Sequence, residues 1–78
     1  MNIQYFKIGD PVLMRASTSS GRQTLVGARV EAVIPAGVRP GLLGFEFKDQ
    51  QPRETLSYVV QANGRLFWPT PQSLSEWV

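Results

Sequence analysis

The chain has 78 residues, a net charge of +2, and 42% hydrophobic against 18% charged residues. That length fits one domain, 1–78, and the balance is that of a globular chain rather than a disordered one. It contains no cysteine and no histidine, which excludes a disulfide scaffold, a thiolate or imidazole metal site, and any Cys–His or Ser–His catalytic pair. A chain this short buries only about 60% of its unfolded surface, so a second subunit is an expected source of extra stability. The cations are scattered, with no two adjacent, unlike the dense basic stripe of many nucleic-acid modules. No apolar stretch reaches membrane-spanning length. The segment Met1–Lys7 lacks the charged and apolar regions of an export signal, so the expected location is cytoplasmic.

Period-two alternation dominates, so the chain reads as strands. Pro11–Ala16 is the first, entered through Gly9-Asp10, and Ser17–Gly21 is a polar loop. Thr24–Ile34 is the clearest strand. Its alternation predicts Val26, Ala28, Val30, Ala32 and Ile34 on one face. Pro35-Ala36-Gly37 and Arg39-Pro40-Gly41 are turn signals, with Pro40 at the first central position and Gly41 at the second of a type II turn. Leu43–Lys48 is a third predicted strand, with Phe45 and Phe47 opposite Glu46 and Lys48, and Asp49–Arg53 a turn. Thr55–Ala62 and Arg65–Pro69 flank Asn63-Gly64, the strongest hairpin signal in the chain, because a type I′ turn needs positive φ at both central positions. Pro69 and Pro71 end the last strand, and Gln72–Trp77 is expected to form one helical turn behind a Thr70 cap. Five short strands and a terminal turn predict an all-β fold, a small and strongly bent barrel with a short C-terminal helical turn.

A two-residue turn at Asn63-Gly64 pairs Ala62 with Arg65, Gln61 with Leu66, Val60 with Phe67, Val59 with Trp68 and Tyr58 with Pro69. One face of the hairpin then carries Tyr58, Val60 and Phe67, and the other carries Val59, Leu66 and Trp68 beside Gln61. A small barrel has one interior, so the second face needs a cover from the C-terminal turn, another subunit or a ligand. The expected partner-binding surface is Val59, Gln61, Leu66 and Trp68, with Trp68 as its anchor. Leu74 and Trp77 are expected to cap one open end of the barrel.

Catalytic chemistry is poorly represented. No carboxylate sits in an apolar context that would raise its pKa, and Asp10, next to Gly9, reads as a side chain bonding local backbone. Glu31 and Glu46 are expected to be solvated. No phosphate-binding glycine motif occurs. Eight aromatics interleave with scattered arginines, a combination that single-strand-binding barrels use. In that alternative Arg15, Arg22 and Arg29 form a basic edge where the first two strands pair.

The layout resembles SH3-like barrels. The carriers are Phe6-Lys7-Ile8-Gly9-Asp10-Pro11-Val12, Gly27-Ala28-Arg29-Val30, Gly44-Phe45-Glu46-Phe47, and Phe67-Trp68-Pro69 followed by Leu74. Within that class the spacing is similar to the plasmid-type (type II) trimethoprim-insensitive dihydrofolate reductases, of comparable length. The resemblance implies a homotetramer whose last strands line a shared pore for folate and a nicotinamide cofactor. The pore glutamine falls at Leu66, the isoleucine at Phe67, the tyrosine at Trp68 and the cationic residue at Met14. Apolar Leu66 and Met14 cannot hold a nicotinamide amide or pair a folate carboxylate. The resemblance therefore supports the barrel and the assembly, and argues against the reductase. The expectation is a non-enzymatic module with no catalytic residue, cofactor or metal, bound to a protein partner or to further copies of itself, with no membrane contact.

Overall fold

The structure, a computed structural model, describes residues 5–77. It is all-β: β1 (Pro11–Ser17), β2 (Gln23–Ile34), β3 (Ser57–Ala62), β4 (Arg65–Phe67) and β5 (Leu74–Glu76) form one antiparallel sheet in the order β4-β3-β2-β1-β5. This is compatible with an SH3-like barrel. The sheet is not closed, however, and β4 and β5 remain its two edges.

The hairpin forms as its sequence dictates. Asn63 and Gly64 take φ of 53° and 75°, and Ala62, Gln61 and Val60 pair with Arg65, Leu66 and Phe67. The ladder stops there, so Trp68 and Pro69 continue past β4 without strand pairing.

β2 serves two cores because of one extra residue. Val30 pairs with Val60 and Ala32 with Val59, leaving Glu31 as a bulge. A bulge sends residues of equal parity to opposite sides. Ala28 and Val30 therefore point to one side with Val12, Met14, Tyr58, Val60, Ala62 and Leu74, whereas Ala32 and Ile34 point to the other with Val59 and Trp68. The single face predicted from Val26 to Ile34 is thus corrected at Glu31.

The long connection between β2 and β3 departs most from expectation. Leu43–Lys48 forms no strand. Pro40–Leu43 is a 3-10 turn with Pro at its start, closed by Gly44 at φ 92°. Gly41 does not adopt the positive φ of a type II turn, and in the preceding turn Gly37, at φ 77°, follows Pro35 as the first residue, whose carbonyl accepts from Val38 N–H. Beyond Gly44 the chain is in no strand, yet Phe45 and Phe47 still alternate with exposed Glu46 and Lys48. Its polar groups are satisfied by a side chain instead of a strand. Gln50 Oε1 accepts from Gly41 N–H at 2.8 Å, and Gln50 Nε2 donates to the carbonyls of Phe45 and Phe47 at 3.2 and 3.1 Å. Phe45, Phe47 and Val38 pack onto the second core. Gln50→Ala should loosen this cover, at about 1–2 kcal/mol for the lost bonds. Hydrogen exchange should report it as faster exchange at Gly41 with β1 and β2 protection retained.

The predicted C-terminal helical turn is shorter than expected. Pro71–Ser73 makes a 3-10 turn after Thr70, and the chain then returns to strand as β5, which pairs Leu74 with Met14 and Ser75 with Leu13.

Candidate functional site

The two apolar faces of the last hairpin have different fates. On the inner side Tyr58 and Val60 are buried, with the Tyr58 hydroxyl accepting from Phe6 N–H at 3.0 Å. On the outer side Val59 is fully buried and Trp68 is 9% exposed, under Val38, Phe45 and Phe47. The second face is therefore covered by the chain itself, through the 35–53 connection rather than the C-terminal turn. Trp68 Nε1 donates to the buried Ser57 hydroxyl at 2.8 Å, its ring stacks near Phe47, and the Arg53 guanidinium lies 3.8 Å above it.

The four residues expected to form a partner surface do not form one exposed patch. Val59 and Trp68 are inside; Gln61 and Leu66 are exposed. Leu66 is 46% and Phe67 38% exposed, on opposite sides of the edge strand β4. The sequence places Phe67 on the other hairpin face, with Tyr58 and Val60; those two are buried and Phe67 is exposed because it stands on the edge strand.

The cover over the outer face stops partway down. Below it the register continues with Gln61 opposite Leu66 and Arg29, Gly27 opposite Leu13, and Leu25 opposite Arg15. Paired residues share a side of the sheet, so these residues lie on one open face. Arg15 and Arg29 both stand there, exposed, four ladder steps apart; Arg22 is exposed in the β1–β2 connection. The first two strands do pair, but the three arginines do not line one edge.

Trp77 also belongs to this face. It does not cap the barrel end with Leu74, which is buried in the inner core. Its indole crosses from the β5 side over β1 onto Gly27, where a Cβ would lie 2.6 Å from Cζ3 and Cη2 of the ring. A glycine in a strand under an aromatic is the sequence signal that was missed.

The positions that the reductase resemblance placed in a pore are partly brought together. Met14, Phe67 and Trp68 line a cavity of about 480 Å³ with Val26, Ala62, Arg15 and Arg53. Leu66 is on the far side of β4, and Met14 is buried among apolar neighbours. Asp10 accepts from Lys7 N–H at 2.8 Å through Oδ2, the local role expected of it, and Glu31 and Glu46 are exposed. Among the described residues no group of three or more Asp or Glu side chains could hold a metal ion, and no helix is long and apolar enough to cross a membrane. In comparisons with known proteins the chain matches no family model, no curated protein and no solved structure.

Proposed function

We propose that this chain is a small non-enzymatic module that acts by protein–protein contact, and first by self-association, through the edge of its last hairpin. The observation that carries the reading is β4 itself. All three of its residues are exposed, and it presents Leu66 on one side and Phe67 on the other at an unpaired sheet edge. An unpaired sheet edge leaves backbone N–H and C=O groups open to another chain, and Leu66 and Phe67 set apolar side chains beside them. Leu25, 59% exposed on the same open face as Leu66, extends the apolar surface. The Met14–Phe67 cavity adds a recess beside this edge, bordered by Arg15 and Arg53.

The test is assembly. Light scattering behind a sizing column at micromolar concentration should show a mass above the monomer. Leu66→Asp should return the monomer with an unchanged far-UV spectrum, because Leu66 contributes little to the subunit's own core. A wild-type monomer at every concentration, or an assembly untouched by both Leu66→Asp and Phe67→Asp, would remove this reading.

A further inference from the structure

The open half of the outer face also carries a feature that hairpin association does not use. Trp77 is 54% exposed although its ring lies against the Gly27 backbone. The Cζ3–Cη2 edge of the ring is therefore seated on the sheet, and about half of the side chain is open to solvent. Such an indole is oriented in advance, so little rotamer freedom remains to be lost on stacking. Beside it is a shallow cavity of about 350 Å³, bordered by Arg29, Gln61, Asn63 and the Gly64 turn. A fixed aromatic plane, a guanidinium and two primary amides converge on it.

We propose that this surface binds single-stranded nucleic acid, with one base stacked on the exposed part of the Trp77 indole, Gln61 and Asn63 at the base edges, and Arg29 at a phosphate. Stacking on an aromatic residue accepts any base and is the main contribution at such sites, with cations following the backbone. A second phosphate contact is available from Arg15, four ladder steps from Arg29 on the same face, or about 13 Å at ~3.3 Å per residue. The net charge of +2 and pI near 9.5 favour a polyanion. Two carboxylates are near the patch along the chain, Glu31 at the bulge beyond Arg29 and Glu76 next to Trp77, the latter paired with Val12 on the inner side of the sheet. They oppose phosphate attraction, so affinity should be modest and should rest on stacking more than on charge. A duplex keeps its bases stacked inside and should bind more weakly.

The experiment is fluorescence anisotropy with labelled fifteen-nucleotide oligo-dT and oligo-U, the corresponding duplex, and unlabelled mononucleotide as competitor. Binding at low salt should weaken with a log–log slope of about −1.4 for two phosphate contacts on a single strand, and Arg29→Gln should bring it to about −0.7. Trp77→Ala should weaken binding about ten-fold or more, and Trp77→Phe should retain most of it. Gly27→Ala is the second variant. It keeps every proposed contact side chain in the chain but displaces the indole from the sheet, and it should also weaken binding. Melting curves show whether each variant is folded. Phe67→Asp, on the opposite side of β4 from Gln61, tests association separately, so either idea can fail alone. Absence of binding at low salt, equal affinity of folded Trp77→Ala and wild type, or competition by mononucleotide as effective as by oligonucleotide each overturns the proposal.

Discussion

Trp68→Ala is expected to cost about 3–5 kcal/mol, the usual range for deleting a buried aromatic. A chain of 78 residues has about 4–12 kcal/mol of stability to lose at ordinary values per residue. The melting temperature should fall by roughly 15 °C or more, with much of the chain unfolded at 37 °C in the less stable half of that range. The cause is specific. Trp68 fills the space between Val59, Ala32 and Ile34 on the sheet and Phe47 on the connection, so its loss separates the two. It also strands the Ser57 hydroxyl, which is fully buried and accepts from the indole N–H. Trp68→Phe isolates that second effect. It keeps most of the apolar volume and should cost about 1–3 kcal/mol for the unsatisfied hydroxyl, and Trp68→Phe with Ser57→Ala should recover part of it. Urea denaturation followed by circular dichroism measures all three. A Trp68→Ala protein as stable as wild type would mean that the 35–53 connection does not rest on this ring. Trp77→Ala should have the smaller effect on stability, the reverse of the order expected from an end-capping Trp77, because Trp77 is half in solvent and Trp68 is not.

The elements that were legible in the sequence are those whose signal is local. Asn63-Gly64 specified a turn that only positive φ can make, and the pairing of Gln61 with Leu66 followed from it. Alternation marked β1 and β2 within a residue or two of their ends. Alternation at Phe45 and Phe47 was equally clear and still did not make a strand. It records which side of a segment is buried, not whether another backbone lies beside it, and here the amide of Gln50 supplies the bonds a neighbour would have given. That both faces of the last hairpin are apolar was also legible. What covers them was not, because the cover is a non-repeating connection anchored by Gln50 and Arg53, neither of which has a distinctive local pattern. The bulge at Glu31 left one mark, Val33, which breaks the polar pattern of its face just past the point where the backbone changes sides and packs on the inner core.

Arg53 closes that connection, and its removal should be the second-largest loss. The guanidinium stacks on Trp68 and donates to two carbonyls in succession, Trp68 at 2.8 Å and Pro69 beside it. These carbonyls follow the end of β4, where the ladder has stopped and no strand satisfies them. One side chain therefore pins the end of the connection to the exit of the last hairpin. Burial lowers the guanidinium pKa, and the nearby negative charge of Asp49 opposes that shift. Arginine nevertheless stays protonated throughout the working range of a protein, so this contribution should not vary with pH near neutrality. Arg53→Ala should cost about 2–4 kcal/mol, combining two charge-assisted bonds with a partly desolvated cation–π contact. Arg53→Lys should restore little. An ammonium keeps the charge but cannot stack its plane on the indole while donating along a fixed fork to two neighbouring carbonyls. The expected order of melting temperatures is wild type, then Lys, then Ala, with Lys much nearer to Ala. Lysine at wild-type stability would show that charge alone holds this corner, and that the stacked geometry over Trp68 contributes nothing.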